Sequence, residues 1–136
     1  GATMASFGLI KALVPGSMTM TLREIIATVQ GTLVSRSANL HMEVAHICAA
    51  DLMSDVLAFA APGPVLLTGL CNPQVVRTAE MADVVAVVFV RGKLPAPETI
   101  ALAEEKGIPL IAAKYTMFEM FGRLHAGGLA SCDDLE

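Results

Sequence analysis

The residues best placed to bind a ligand lie in segment 68–74, which follows the apolar residues 65–67 and leads into a helix that begins near Pro73. Thr68 and Asn72 provide a hydroxyl and an amide, and Gly69 permits close approach of a ligand to the backbone. Ligands of open α/β sheets bind at the carboxyl ends of strands, and free amides at a helix start attract anions. The segment therefore predicts a ligand-binding loop. The alternative is a tight turn in which Asn72 caps the helix.

A second polar segment, Arg91-Gly92-Lys93, follows the apolar residues 84–90. Two cations beside a glycine can hold a phosphate or a carboxylate, and a solvated loop is the alternative interpretation. Because sites in such sheets cluster at the carboxyl edge, we expect both segments to face one crevice. Tyr115 and Thr116, with Lys114 before them, are expected to complete that crevice.

The roles of Tyr115 and Asp51 each have two interpretations. Tyr115 is the single tyrosine, and it either stacks on a base and hydrogen-bonds through its hydroxyl or packs partly buried. Asp51 and Asp55 lie four residues apart on one predicted helix face, a spacing that suits a cation or a sugar hydroxyl. An aspartate at the start of a helix is more often an N-cap, which is the expected role of Asp51.

The remaining reactive side chains form no catalytic or metal-binding set, so we predict no catalytic residue, no metal and no cofactor. The three histidines lack metal spacing, and His46 is expected to be a satisfied core or interface residue. Cys48, Cys71 and Cys132 are odd in number and far apart, which favours free thiols in a reducing, cytoplasmic compartment. Cys71 lies near a helix start, where a thiol can be more reactive.

The elements that must position these residues alternate between strand and helix. A capping box at Thr21 and Glu24 predicts a helix over 22–30 that stops at Gly31. After it, a short strand is predicted over 32–34 and further strands over 44–49, 65–67, 84–90 and 108–112. Helices are predicted over 51–60, from Pro73, over 97–106 and after Thr116. Such alternation implies right-handed crossovers. The predicted fold is a single α/β domain with a mainly parallel sheet built from repeated βα units and helices on both faces.

The composition of the chain limits the classes of partner that it is expected to bind. Of 136 residues, 54% are hydrophobic and only 16% are charged, which predicts an apolar surface covered by a second copy in a homodimer. The net charge is −4 and the basic residues form no stripe, so we expect no nucleic acid partner. No apolar run reaches the length of a membrane helix, so we expect no membrane partner. Residues 1–17 are interpreted as a tag or leader, 18–130 as the domain and 131–136 as a tail.

Several short segments, in order, resemble the DRTGG domain family. They are residues 51–58 (DLMSDVLA), 66–69 (LLTG), 90–93 (VRGK), 105–110 (EKGIPL), 116–119 (TMFE) and 127–129 (GGL). The resemblance spans residues 21–129. It implies similarity to the N-terminal domain of HPr kinase/phosphorylase, to domains of phosphate acetyltransferases and to domains beside CBS domains in some pyrophosphatases. It further implies a regulatory or oligomerising role, nucleotide ligands in some contexts, and a redox-enzyme or kinase partner.

The chain departs from that family at the Asp-Arg-Thr-Gly-Gly string, which is absent; the nearest stretch is residues 68–72. No phosphate-binding P-loop is present either, so HPr kinase activity is not expected. Two functions remain. The first is a non-catalytic regulatory module for an adenine nucleotide or another phosphorylated metabolite, bound at Thr68, Gly69, Asn72, Arg91, Lys93, Tyr115 and Thr116. The second is a homodimeric interaction module that docks on a partner enzyme without a small ligand, through apolar faces at 53, 57 and 59 and at 117, 118 and 121. An enzyme is not expected.

Overall fold

The computed structural model describes residues 18–36, 39–59 and 61–132. The tag or leader predicted over 1–17, the end of the tail at 133–136 and the last residue of the helix predicted over 51–60 lie outside these residues. The strands are β1 (Met20–Thr21), β2 (Thr32–Leu33), β3 (Glu43–Val44), β4 (His46–Ala49), β5 (Val65–Thr68), β6 (Ala86–Phe89), β7 (Leu110–Ala112) and β8 (Ala130–Ser131). The helices are α1 (Leu22–Thr28), α2 (Met53–Leu57), α3 (Gln74–Met81), α4 (Pro97–Lys106) and α5 (Met117–Ala126).

Six of the strands form one sheet in the order β2-β7-β6-β5-β4-β8. Strand β2 is antiparallel to β7, and every other pairing in this sheet is parallel. In register, Leu66 of β5 lies beside Cys48 of β4 on one side and Val87 of β6 on the other. The predicted single-domain α/β architecture with a mainly parallel sheet is confirmed.

The helices lie on both faces because of the order of the connections. Strands β4, β5, β6 and β7 are successive neighbours, so right-handed crossovers place α2, α3 and α4 on one face. The connection from β7 to β8 runs back across the sheet to the outer side of β4, which places α5 on the opposite face with α1. Helices on both faces are therefore confirmed.

The buried side chains form one apolar cluster on each face of the sheet. In β6, Val87 and Phe89 belong to the cluster under α2, α3 and α4, whereas Ala86 and Val88 belong to the cluster under α1 and α5. All four are fully buried. An uninterrupted apolar run is what a strand covered on both faces requires, so the interpretation of residues 84–90 is confirmed.

Local signals at the helix ends have the predicted effects. Thr21 accepts a hydrogen bond from the Glu24 amide at 3.1 Å, and the Glu24 carboxylate accepts one from the Thr21 amide at 2.8 Å. Gly107 ends α4 in the left-handed conformation with φ 71°. Thr116 caps α5 by accepting from the Glu119 amide at 3.3 Å. These contacts satisfy backbone donors and acceptors that the helix itself leaves free.

The glycine after α1 is needed for a different reason from the one predicted. The left-handed residue that ends this helix is Gln30, with φ 52°. A Cβ atom on Gly31 would lie 2.6 Å from Cγ2 of Ile111. Gly31 therefore allows β2 to approach β7, and this pairing shapes one wall of the site described below.

Two strand features were not predicted. The strand expected over 44–49 divides at Ala45: Val44 pairs with Met20 in a small antiparallel sheet of β1 and β3, whereas β4 joins the main sheet. At the other end, β8 pairs with β4 and spans the boundary predicted between domain and tail. Both are two-residue pairings between distant segments, so no local periodicity indicates them.

The expectation of three free thiols is wrong. Cys48 in β4 and Cys132, directly after β8, are joined by a disulfide, with their Cα atoms 5.3 Å apart. Their separation of 84 residues conceals this proximity in the sequence. Only Cys71 is free among the described cysteines. The cytoplasmic assignment rested on free thiols and stays a prediction.

Candidate functional site

The carboxyl ends of β4 and β5 are joined by the side chain of Asp51. Its Oδ1 atom accepts hydrogen bonds from the Thr68 hydroxyl at 3.0 Å and from the Gly69 amide at 2.7 Å. The N-cap of α2 is Leu52, which makes no side-chain cap. The expected capping role of Asp51 is therefore wrong, because the aspartate bridges two strands instead.

The segment after β5 is held by hydrogen bonds within itself and to the start of α4. Asn72 Oδ1 accepts from the Gln74 amide at 3.1 Å, as the turn interpretation requires. The carbonyl oxygen of Cys71 accepts from the Thr99 hydroxyl at 2.7 Å and the Ala96 amide at 3.2 Å, which attaches the segment to the start of α4. The polar groups of this segment thus have structural partners, and they fix the shape of the edge.

The Cys71 thiol does not have the lowered pKa of a reactive cysteine. Burial raises its pKa above the ordinary value, and the positive charge of Lys93 opposes this only in part. The thiol donates weakly to the Gly69 carbonyl, with Sγ and O 3.6 Å apart. A raised pKa leaves less thiolate at neutral pH, which argues against a nucleophilic role.

Val90, Arg91, Gly92 and Lys93 form a tight turn beyond β6. Arg91 and Gly92 both have positive φ, 57° and 70°, and the Lys93 amide donates to the Val90 carbonyl at 3.1 Å. The Arg91 amide donates to the Tyr115 carbonyl at 2.8 Å. This turn is therefore fixed to the segment that follows β7. Arginine is unusual in the left-handed region, which costs about 1–2 kcal/mol for a residue with a Cβ atom.

Lys93 extends from this turn towards β5. A Cβ atom on Gly69 would lie 3.6 Å from Cδ of Lys93 and 3.6 Å from Oδ1 of Asp51. The absence of a side chain at Gly69 thus leaves room for the lysine chain beside the aspartate. Thr68, Gly69 and Lys93 thus lie close together, with Asp51 as a fourth member of this cluster.

Tyr115 and Thr116 lie between β7 and α5. The guanidinium carbon of Arg123 lies 4.1 Å from the centroid of the Tyr115 ring, and Arg123 also pairs with Glu119 at 2.9 Å. Thr116 uses its hydroxyl as the cap of α5. Tyr115 is half-buried and packs against the cluster under α1 and α5, so its packing interpretation is supported, while part of the ring remains exposed.

A cavity of about 680 Å³ opens at the carboxyl ends of β6 and β7. Its walls are mainly apolar, and its polar lining comes from Gln30, Thr32, Lys114 and Tyr115. Gly92, in the tight turn, and Leu94, directly after it, also line the cavity. Its size and mixed lining are typical of small-molecule sites.

The predicted site residues thus do not meet in one crevice. Thr68, Gly69 and Lys93 form the cluster with Asp51, whereas Tyr115 lines the cavity. Asn72 accepts from the Gln74 amide in the turn before α3, Thr116 caps α5, and Arg91 lies exposed in the tight turn after β6. Sequence reasoning missed Gln30 and Thr32 because the antiparallel pairing of β2 with β7, which brings them there, has no local signal.

His46 differs from its expected satisfied state. It is half-buried at the start of β4, and its Nδ1 atom has no hydrogen-bond partner in the part of the chain that the structure describes. Within the same residues, no group of three or more acidic, histidine or cysteine side chains could hold a metal ion. None of the helices in residues 18–36, 39–59 and 61–132 is long and apolar enough to cross a membrane.

The fold defines an α/β protein with a candidate small-molecule site at the carboxyl edge of its sheet. No protein-family model and no curated protein matches the chain. Among solved structures, it is similar to the CBS and DRTGG domains of the regulatory region of Clostridium perfringens pyrophosphatase, complexed with the activator diadenosine tetraphosphate. The TM-score is 0.59 with 16% identity over 78% of this chain. The chain spans 46% of that neighbour, and the likeness establishes the fold alone.

Proposed function

We propose that this chain is a non-catalytic regulatory module that binds a small phosphorylated ligand, with an adenine nucleotide as the first candidate. The observation that carries the proposal is the cavity at the carboxyl ends of β6 and β7. The cavity has apolar walls and is also lined by Lys114 and Tyr115. The apolar walls and the tyrosine ring suit a planar base, and the lysine suits an anionic group. The proposed site comprises this cavity and the adjoining turn at Arg91.

The distribution of charge supports an anionic ligand. The chain as a whole carries −4, yet the segments after β6 and β7 contribute the exposed cations Arg91, Lys93 and Lys114. The nearby carboxylate of Asp51 offsets one of these three positive charges. A local excess of positive charge raises the concentration of anions at this edge.

The structural neighbour supports the regulatory role and the class of ligand. That neighbour comprises the CBS and DRTGG domains of a regulatory region in complex with a dinucleoside polyphosphate activator. The DRTGG-like segments of this chain include residues 66–69 and 90–93, which form part of the carboxyl edge. A role as a sensor that acts on a separate enzyme, such as a redox enzyme or a kinase, is therefore the proposed biological setting.

A thermal-shift screen of the full chain tests the proposal. The probes are ATP, AMP, diadenosine tetraphosphate and inorganic phosphate, because ligands that bind only the folded state raise the unfolding midpoint. We expect a nucleotide to raise the midpoint and expect Lys114→Gln to reduce that shift. Arg77→Gln, which removes an exposed charge from α3, is the matched control and should retain it. Equal shifts in both variants would contradict a site at Lys114.

A homodimeric interaction module is the second candidate function, and exposed apolar side chains favour it. Phe118 is 90% exposed and Leu57 is 48% exposed, whereas the other members of the two predicted apolar faces are partly buried. Leu94 is 70% exposed beside the cavity. Light scattering of the wild-type chain and of Phe118→Ser distinguishes the candidates. A dimer that becomes monomeric in Phe118→Ser supports this function, and a monomeric wild type at high concentration contradicts it.

A further inference from the structure

We propose that the disulfide between Cys48 and Cys132 is a redox-sensitive latch that holds strand β8 against β4. The inference does not depend on the proposed ligand. Strand β8 is the edge of the main sheet and contains only Ala130 and Ser131. Its backbone attachment includes the Ala130 amide, which donates to the Ala45 carbonyl at 2.9 Å. Such a short edge strand has few contacts of its own, so a covalent link changes its stability strongly.

The cysteines are placed to make this link. Their Cα atoms lie 5.3 Å apart, within the range of protein disulfides. The Cys132 amide donates to the Ile47 carbonyl at 3.0 Å, which aligns the end of β8 with the residue before Cys48. Both cysteines are buried in the apolar cluster under α2, α3 and α4. Reduced cysteines behave as small apolar side chains, so the cluster remains compatible with the open latch.

Opening requires a dithiol reductant, either a small molecule or a protein. A thiolate of the reductant attacks one sulfur, the bond between Cys48 and Cys132 breaks, and the departing thiolate takes up a proton. The second thiol of the reductant then resolves the mixed disulfide, which leaves two protein thiols and an oxidised reductant. Because both cysteines are buried, a transient local opening must expose one sulfur before the thiolate can attack it.

Reduction would thus convert a fixed edge into a mobile one. The disulfide closes a loop of 84 residues, and its removal restores freedom to the unfolded chain and to the residues around β8. When β8 lifts, the carbonyls of Ala45 and Ile47 lose their donors and the outer edge of β4 is uncovered. An uncovered edge can pair with another strand.

Hydrogen exchange of the full chain, before and after treatment with dithiothreitol, tests the latch. We expect the amides of Ala130 and Cys132 to exchange at least about tenfold faster after reduction, while those of β5 remain protected. The unfolding midpoint should fall by on the order of 10 °C. Unchanged exchange in β8 would overturn the proposal. Alkylation of Cys48 and Cys132 in the air-oxidised protein, before any reductant is added, would overturn it as well.

Two variants separate the latch from other effects of reductant. Cys71→Ala retains the disulfide and should keep the full response. The double variant Cys48→Ala/Cys132→Ala should exchange rapidly at β8 in both conditions and should not respond to dithiothreitol. If the double variant fails to fold, the comparison of oxidised and reduced Cys71→Ala remains decisive, since that protein contains no other cysteine. A reductant response that persists in the folded double variant would contradict the latch.

Discussion

The carboxylate of Asp51 accepts a hydrogen bond from the hydroxyl of Thr68 at 3.0 Å, across the ends of two neighbouring parallel strands. Thr68 is fully buried, and its oxygen in turn accepts from the Leu70 amide at 3.2 Å. A buried hydroxyl deprived of its acceptor costs about 1–3 kcal/mol. The two residues therefore define the geometry of the edge where β4 and β5 end.

We expect Asp51→Ala to lower the free energy of unfolding by about 1–2 kcal/mol, because the Thr68 hydroxyl and the Gly69 amide lose their shared acceptor. Asp51→Asn retains an oxygen at the same position and should cost less than half as much. Urea denaturation of the two variants and the wild type measures the difference. Equal losses in both variants would show that the charge of Asp51, and not its acceptor geometry, stabilises the edge.

Gly31→Ala should destabilise the protein by about 1–3 kcal/mol, since its Cβ atom would lie 2.6 Å from the Ile111 side chain. The matched control is Gly122→Ala within α5, where the added Cβ would meet no atom within 4 Å beyond its chain neighbours and the backbone of its own helix. Alanine favours the helix over glycine, so this control should gain about 0.5–1 kcal/mol. Thermal denaturation of the wild type and both variants measures these changes in stability. A neutral Gly31→Ala would mean that β2 and β7 adjust freely to the extra atom.

Arg91→Asn should raise the free energy of unfolding and, at the same time, weaken nucleotide binding. Asparagine tolerates the left-handed conformation better than arginine, so the free energy of unfolding should rise by about 0.5–1 kcal/mol. Loss of the cation should weaken nucleotide binding by about tenfold, as for one charge-assisted hydrogen bond. Urea denaturation and calorimetric titration with ATP measure the two effects. Arg91→Ala removes the same charge without the conformational gain, and unchanged ATP affinity in both variants would exclude Arg91 from the site.

Alkylation of Cys71 by iodoacetamide should report its raised pKa. Since burial disfavours the thiolate, the alkylation rate should reach half its maximum at a higher pH than for an ordinary thiol. Lys93→Gln removes a charge that lowers this pKa, so the midpoint should move to still higher pH and the rate at pH 8 should fall. Lys106→Gln, at the opposite end of α4, is the control and should have no effect. A faster reaction in Lys93→Gln would contradict the assigned electrostatics.

Local patterns were sufficient to predict much of the fold. Some signals act only through neighbouring residues and could be interpreted from the local sequence. They are the apolar run of β6, the capping box at Thr21 and the glycine after α4. The disulfide between Cys48 and Cys132 depends instead on β8 returning to β4 across the whole sheet. No rule about cysteine spacing could indicate that contact. The cysteines were therefore interpreted as free thiols.

The sheet edge that carries the candidate site could be predicted, but most residues that line its cavity could not. The rule that ligands bind at the carboxyl ends of parallel strands led to Thr68, Lys93 and Tyr115, which do lie at that edge. Gln30 and Thr32 reach the cavity through the antiparallel pairing of β2 with β7, made close by Gly31. Asp51 carried a capping signal, although its carboxylate bonds to the next strand. Long-range pairing decided each of these outcomes.

The most direct test of the account is a nuclear magnetic resonance titration of the ¹⁵N-labelled chain with ATP and with diadenosine tetraphosphate. A phosphorylated ligand in the cavity should shift the amide resonances of Gly92, Lys114 and Tyr115 first, at concentrations below about 1 mM. The same resonances should stay in place when inorganic phosphate replaces the nucleotide, if the base occupies the apolar walls. No shifts with either nucleotide, or shifts confined to residues away from the carboxyl edge, would contradict the proposed ligand-binding function.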